Sequence, residues 1–270
     1  MIVQPRDGQL LLIRQTDHAA LAGLFAQHWG NADFALPSPR DPVIAAAIHH
    51  DDGWLLWEAA PRIDPSTQRP YQFTAMPLAE HIGFYRAGIE QVLTLEPYAG
   101  LLTLMHLAGL YQMRFNTDRH MQPKKLSRDE ERIQRQFLDE LHQQQESLLR
   151  ELPQRGVPAS WLEERRLWCN YKLLQMYDRL SLYFCTAPPR PATLEPAPRD
   201  YEGSETQLIL TPLTDRAVAI SPYPFDRSPL SFTVPARSVP DRDYESDDSF
   251  RAIYSHATET ELRFEIQAYK

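Results

Sequence analysis

The hydrophobic pattern of this chain changes its period once, close to residue 187. Before that point apolar residues recur at helical spacing, whereas beyond it they fall into short β-like runs among prolines. We therefore predict a mainly α protein with an appended β region. It would comprise an HD-like helical bundle over 16–187, then a proline-rich linker and a small antiparallel β domain over 188–270. Residues 1–15 form a predicted β-hairpin, which could join the C-terminal sheet because isolated hairpins are marginally stable.

Local signals place the individual helices and strands. Two Ser-x-x-Glu capping boxes, at 127–130 and 160–163, predict helix starts. Asp17 and Asp41 are expected to cap two earlier helices. The predicted helices include 17–29, 77–95, 97–115, 127–152 and 160–184, and the predicted strands are 207–210, 217–220, 230–234, 250–254 and 262–266.

The segment 58–73 is irregular and is interrupted by Pro61, Pro65 and Pro70. A stretch of this length without regular structure is uncommon in compact domains and usually serves a function. We expect it to form the wall or lid of a pocket.

Composition excludes several classes of protein. Lys and Arg number 28 against 36 Asp and Glu, a net charge of −8 with no basic block, which argues against a nucleic-acid-binding surface. The apolar run at 101–110 is too short to span a bilayer, and the first residues show no signal-peptide pattern. Cys169 and Cys185 are too far apart on one predicted helix to form a disulfide. We therefore expect reduced thiols in a cytoplasmic protein that is not membrane-bound.

The motif His-His-Asp-Asp-Gly-Trp at 49–54 follows a fully apolar stretch at 43–48. A helix that is apolar on all sides is buried, so His50 and Asp51 should emerge from the core. An imidazole nitrogen beside a carboxylate oxygen is a donor pair that holds borderline divalent ions. The motif predicts a metal site with one or two ions, and it does not distinguish among Fe, Mn, Mg, Ni and Zn.

Four further ligand candidates lie along the chain, two of them in mostly apolar helical runs. His106 could instead be a hydrogen-bonded core histidine, and Asp178 could pair with Arg114 or Arg86, since a buried carboxylate needs a cationic partner. The other two fall in the first turns of predicted helices, where a histidine is often solvated. The complete predicted ligand set is His18, His50, Asp51, His81, His106 and Asp178.

This order of residues resembles that of the HD superfamily of metal-dependent phosphohydrolases. Those proteins place a His on an early helix, a His-Asp pair on the next and a final Asp on a late helix, as His18, the pair 50–51 and Asp178 do here. Members with two metals add two histidines before the final Asp, where His81 and His106 stand. The same order resembles the diiron HD-fold oxygenases such as myo-inositol oxygenase.

A second resemblance covers nearly the whole chain. The His-His-Asp-Asp-Gly-Trp run and the Pro-Arg-Ile-Asp-Pro loop at 61–65 are similar to a bacterial family of unknown function, which implies no activity. The HD resemblance covers only the helical part, and Trp54 departs from it. Many phosphohydrolases have Lys or His after the Gly, so a phosphate-facing role is not expected at this position.

The HD resemblance implies a hydrolase that uses a metal-activated water on a phosphate ester. Asp52 would be a catalytic base or would orient a ligand imidazole, with a plain surface acid as the alternative. Arg62 and Arg69 in the irregular segment could bind the phosphate or carboxylate of a small anionic substrate. This hydrolytic function is the one we favour from the sequence.

Two other functions stay open at this point. The same ligands could hold two irons that activate dioxygen, as in the oxygenases. Alternatively, the helices could be purely structural in a non-catalytic binding or sensory module. In that case Tyr223, Phe225 and Phe232 could form a partner-binding surface, or they could form a small β core.

Overall fold

The computed structural model describes residues 1–114 and 126–269. Within these ranges none of the helices combines the length and the hydropathy needed to cross a membrane. The α-helices are α1 Gln15–His28, α2 Arg40–His49, α3 Leu55–Ala59, α4 Leu78–Leu95, α5 Pro97–Tyr111, α6 Arg128–Glu151, α7 Glu164–Thr186 and α8 Asp247–His256. The strands are β1 Ile2–Arg6, β2 Gln9–Ile13, β3 Ile63–Asp64, β4 Arg69–Pro70, β5 Ala192–Pro198, β6 Glu205–Thr214, β7 Ala217–Ser221, β8 Leu230–Pro240 and β9 Glu259–Ala268.

Seven strands form one curled mixed sheet in the order β1-β2-β8-β9-β7-β6-β5. All neighbouring pairs are antiparallel except β7 and β9, which run parallel. The N-terminal hairpin enters this sheet through β2, where Leu10 lies opposite Val239 of β8. The predicted fold class, a helical bundle with a small antiparallel β domain, is therefore wrong. The sheet is large and mixed, and helices make up only about half of the chain.

The helices and the sheet share one hydrophobic core. Phe25 of α1 and Phe184 of α7 lie against the inner face of the sheet, where their ring centroids are 5.2 Å and 5.0 Å from that of Phe232 on β8. Phe264 on β9 extends the same aromatic layer. Local periodicity marks most of the helical and β-like stretches, but it does not show that the two pack against each other.

The proline-rich segment predicted as a linker contains β5, which pairs only with β6 at one edge of the sheet. Proline cannot donate a hydrogen bond to a neighbouring strand, so an edge strand is where a sheet tolerates it. Leu194 and Ala197 of β5 are buried. The prolines therefore indicate an edge strand rather than a connection between two units.

Residues 250–254, predicted as a strand, lie in helix α8, so that prediction is wrong. Ser246 and Ser249 form a capping box at the start of α8, which is also rich in acidic residues. Phe250 and Tyr254 are both buried. Their four-residue separation fits one face of a helix as well as it fits a strand, and the capping signal decides between the two.

The helix starts were predicted with mixed success. The capping box between Ser127 and Glu130 is confirmed at the start of α6. Ser160 instead lies in a 3₁₀ turn, and α7 begins only at Glu164. Helix α1 begins before Asp17, whose carboxylate binds the Arg14 guanidinium at 2.8 Å. Helix α5 ends at Tyr111, before the predicted end at residue 115, which itself lies outside the described residues.

Candidate metal centre

Five of the six predicted ligands meet in one buried group, which we call the His/Asp cluster. Each is at most 4% exposed. Helices α1, α5 and α7 each supply one member, and the turn after α2 supplies two. Their donor atoms form two triads that share one histidine, and within each triad the donor atoms lie within 4.8 Å of one another. The members are His18, His50, Asp51, His106 and Asp178.

The two carboxylates lie between the imidazole rings. Asp178 Oδ1 is 3.2 Å from His18 Nε2 and 3.5 Å from His50 Nε2, while its Oδ2 is 3.9 Å from His106 Nε2. Asp51 Oδ2 is 3.5 Å from His18 Nε2 and 3.8 Å from His50 Nε2. Two donors bound to the same ion at about 2.1 Å cannot be more than about 4.2 Å apart, so each of these pairs could share one ion.

The cluster leaves three buried ring nitrogens without a hydrogen-bond partner among the described residues. They are Nδ1 of His18, Nδ1 of His106 and Nε2 of His50. The Nδ1 atom of His50 lies 2.9 Å from the carbonyl oxygen of Ala47, to which it donates. This bond leaves the Nε2 lone pair of His50 facing two carboxylates, an arrangement that needs a proton or a metal ion between the atoms. Unsatisfied nitrogens are uncommon in cores, and ligation would satisfy at least that of His50.

Two other observations fit a cation in this position. Burial lowers the pKa of His50, but the Asp51 charge and the Asp178 carboxylate outweigh it and raise that pKa to about 9. Burial likewise raises the pKa of Asp178, but the hydrogen bond from His18 and the nearby His50 imidazole, 3.5 Å away, hold it well below its usual range. In the metal-free protein a proton on His50 thus supplies the positive charge that an ion would otherwise provide.

The raised pKa of His50 makes the stability of the metal-free protein depend on pH. Protonated His50 contributes stability fully below pH 6.5, and this contribution is lost as the pH rises through about 9. Urea unfolding of chelator-treated protein from pH 6 to 9 should show a decrease that a His50→Gln variant lacks. An equal slope in the two proteins would contradict the assigned role of His50.

The turn that carries the motif is held against α4 by two glycines. A Cβ atom at Gly53 would lie 2.1 Å from the Phe84 carbonyl oxygen, and one at Gly88 would lie 2.6 Å from the Gly53 nitrogen. No side chain fits between these backbones, which explains the glycine after His-His-Asp-Asp. Trp54 is fully buried, with its ring centroid 5.2 Å from that of Phe84. The residue that departs from the phosphohydrolase pattern is therefore a core side chain.

Two side chains that sequence reasoning missed support the cluster. Gln15 donates from Nε2 to Asp51 Oδ2 at 3.4 Å. The Glu58 carboxylate accepts hydrogen bonds from the Gln15 backbone at 2.5 Å and from the Thr16 hydroxyl at 3.2 Å, which fixes the first turn of α1. The available signal was the position of Gln15, one helical turn before His18 on the same face.

His81 is the predicted ligand that the fold does not bring into the cluster. Its Nδ1 is 2.9 Å from the Tyr111 hydroxyl, and its ring centroid is 5.4 Å from that of Trp54 and 4.6 Å from that of Tyr85. Burial lowers its pKa to about 4, so the imidazole is neutral. His81 therefore lies in an aromatic layer next to the motif.

The other predicted functional side chains form pairs of their own. Asp52 does not orient a ligand imidazole, because its Oδ2 lies 2.8 Å from Nδ1 of His49. Arg62 forms an ion pair with Glu80. Arg62 and Glu80 both line a surface cavity of about 530 Å³ beside the irregular segment 58–73. Arg69 forms an ion pair with each of two aspartates, Asp241 and Asp243.

The guanidinium alternatives for Asp178 are not realised. Arg86 binds Glu140 at 2.7 Å, and Arg114 lies over the Trp168 ring at 5.1 Å from its centroid. Among the described residues, Asp178 has ion-pairing contacts only with histidines. Its charge is therefore balanced inside the His/Asp cluster.

Comparison with known proteins identifies the family of this chain, but that family has no known activity. No significant match was found among the curated proteins or among the solved structures. A family model described as "Protein of unknown function (DUF3891)" matches residues 1–241, a range that includes all five residues of the His/Asp cluster. Because the match covers most of the chain, this protein belongs to that family of unknown function.

Proposed function

We propose that the protein is a metal-dependent hydrolase that acts on a phosphate ester. One observation carries this proposal. Two buried carboxylates from distant segments meet three imidazoles in two donor triads that share His50, and among the described residues no lysine or arginine side chain pairs with them. Buried carboxylates need compensating positive charge, and these residue types are those that bind borderline divalent ions.

The arrangement supports the HD-type interpretation of the motif. His18, His50, Asp51 and Asp178 occur in the chain order of that superfamily and lie within reach of one another. A divalent ion, when bound, would acidify a water molecule and stabilise the negative charge that develops on a phosphoryl group. The chain itself supplies a rigid, water-poor environment that fixes the donor atoms.

The pair formed by His49 and Asp52 extends the cluster toward solvent. The side chains are 30% and 20% exposed, in contrast to the buried ligands between them in the sequence. The Asp52 carboxylate orients the His49 ring through Nδ1, so Nε2 is free to exchange a proton with a substrate or with water. We propose that this pair, rather than Asp52 alone, carries out proton transfer.

We expect a small anionic substrate in a reducing compartment such as the cytoplasm. The cavity of about 530 Å³ is large enough for a small metabolite. Its lining includes Arg62 and three carboxylates, those of Glu80, Glu245 and Asp247, so a substrate anion there would have to displace Glu80 from Arg62. Both cysteines are free and buried, which supports a reducing environment. The aromatic surface of the binding-module alternative receives no support, because Phe225 and Phe232 pack in the core against Phe25.

The test is reconstitution of activity with defined metals. Chelator-treated protein reloaded separately with Mn²⁺, Fe²⁺, Ni²⁺, Zn²⁺ or Mg²⁺ should hydrolyse p-nitrophenyl phosphate, bis-p-nitrophenyl phosphate or a member of a panel of phosphomonoesters. A variant that combines His50→Ala and Asp51→Ala should lose both metal and activity. A reloaded protein that binds metal but cleaves none of these esters would refute the hydrolase.

A diiron-type oxygenase is the second candidate, because the same nitrogen and oxygen donors also suit iron. Aerobic ultraviolet–visible spectra of the iron-loaded protein discriminate between the two. Oxo-bridged iron absorption together with oxygen consumption would favour the oxygenase. Hydrolysis supported by Mn²⁺ or Ni²⁺ would favour the phosphohydrolase.

A further inference from the structure

We propose that the His/Asp cluster binds a single transition-metal ion through all five of its side chains, with His106 as the fifth ligand and His81 outside the coordination sphere. The inference rests on the proposed function, since it concerns the same site. It goes further by specifying the number of ions, the ligand set and the class of metal.

The two triads of donors cannot each hold an ion of their own, because His50 belongs to both of them. Its Nδ1 is engaged by the carbonyl oxygen of Ala47, so Nε2 is the only nitrogen available to a metal. An imidazole nitrogen binds one ion at a time. Two separate ions therefore cannot both use His50, and without it neither triad has three ligands.

The carboxylates also converge on a single centre. His18 Nε2 is 3.2 Å from Asp178 and 3.5 Å from Asp51, and His50 Nε2 contacts the same two oxygens at 3.5 Å and 3.8 Å. Four donors thus enclose one small space. His106 Nε2 lies 3.9 Å from the second carboxylate oxygen of Asp178, Oδ2. The ring centroid of His106 is 5.0 Å from that of His50.

The side chain that a second ion would require is engaged elsewhere. In the two-metal arrangement that the sequence suggested, His81 and His106 would hold the second ion together. The Nδ1 atom of His81 is instead hydrogen-bonded to Tyr111. His81 belongs to neither donor triad. A second ion would be bound only by His106 and one oxygen of Asp178. Two protein ligands are too few for a stable buried site.

Charge balance leads to the same conclusion. One divalent ion against the carboxylates of Asp51 and Asp178 gives a neutral buried site. Two divalent ions would leave two uncompensated positive charges in the core, where isolated charge is costly. The nearby carboxylate of Glu58 accepts hydrogen bonds from the start of α1 and lies 3.7 Å from the buried amino group of Met1, so it is not available to balance a second ion.

The donor set also selects the class of metal. Three imidazole nitrogens with two carboxylates suit Mn²⁺, Fe²⁺, Co²⁺, Ni²⁺ or Zn²⁺, whereas Mg²⁺ and Ca²⁺ prefer sites built from oxygen. We therefore expect tight binding of Zn²⁺ and Co²⁺ and weak binding of Mg²⁺.

Metal titration of the full chain tests the inference. Chelator-treated protein, titrated with Zn²⁺ and examined by native mass spectrometry, should bind one ion per chain. His106→Gln should lower the affinity by at least about tenfold and change the absorption spectrum of bound Co²⁺. His81→Gln, which keeps an acceptor for Tyr111, should change neither, with circular dichroism as the check on folding.

The outcomes separate this inference from the proposed function. Two Zn²⁺ ions in the unmodified protein, or a lower ion count in His81→Gln, would overturn the single-ion site while leaving a metal-dependent hydrolase possible. An unchanged affinity and cobalt spectrum in folded His106→Gln would remove His106 from the ligand set. An unmodified protein that binds no Zn²⁺, Mn²⁺ or Co²⁺ would overturn the proposed function as well.

Discussion

Asp178→Asn should weaken divalent-metal binding by more than about a hundredfold, because loss of a ligand costs more than loss of a supporting contact around a metal. The variant keeps the shape of the side chain but removes the charge that lies between three imidazoles. It should also destabilise the metal-free protein by on the order of 3 kcal/mol, since it leaves protonated His50 without this partner in the core. Calorimetric zinc titration and urea unfolding measure the two effects.

Asp226→Asn is the matched control for this experiment. Asp226 also accepts a hydrogen bond from a histidine, His28, at 3.0 Å, but the pair lies at the surface. Exposed pairs contribute at most about 1 kcal/mol, and Asp226 is not part of the His/Asp cluster. Equal effects of the two substitutions on zinc affinity would mean that Asp178 is not a ligand.

Gly53→Ala should destabilise the protein by about 3 kcal/mol, at the upper end of the range for overpacking, because the added methyl meets backbone. Its Cβ would lie 2.1 Å from the Phe84 carbonyl oxygen, and a helix backbone cannot give way as a flexible side chain can. The turn that carries His50 and Asp51 would have to move away from α4. We therefore expect weaker zinc binding together with a lower midpoint of thermal unfolding.

Gly83→Ala provides the control, because Gly83 lies in α4, the helix against which the turn with Gly53 packs. A Cβ atom at Gly83 meets nothing within 4 Å, so alanine should stabilise α4 by up to about 1 kcal/mol through its higher helix propensity. Zinc affinity should stay unchanged in this variant. If Gly53→Ala were as stable as Gly83→Ala, the close approach of the turn to α4 would be refuted.

The ligand candidates could be found from the sequence because each breaks a local rule. His106 and Asp178 interrupt apolar helical runs, and His50 with Asp51 ends one, so each needs a partner that its own segment does not supply. The structure brings these four side chains together with His18. His81 also fitted the ligand order of the HD superfamily along the chain, yet it lies outside the cluster. Which face of its helix points toward the cluster depends on α4 packing against Gly53, and a one-dimensional pattern does not contain that information.

The sheet was harder to predict for a related reason. The strands β6 to β9 carry β-like patterns, but their order depends on pairings between distant segments. Strand β9 lies between β8 and β7, antiparallel to the first and parallel to the second. Helix propensity and capping boxes act over four residues, as the box at Ser127 shows. Strand pairing acts over the whole chain, so the size of the sheet and its shared core with the helices could not be predicted from local signals.

The pairing of β2 with β8 has a consequence for biosynthesis. Gln9 lies opposite Pro240, so the hairpin is synthesised about 230 residues before the strand that it pairs with. During that interval Phe25 and the apolar side of α1 also lack the sheet that covers them. Until β8 has been made, the nascent chain therefore exposes a hydrophobic surface to which chaperones would bind.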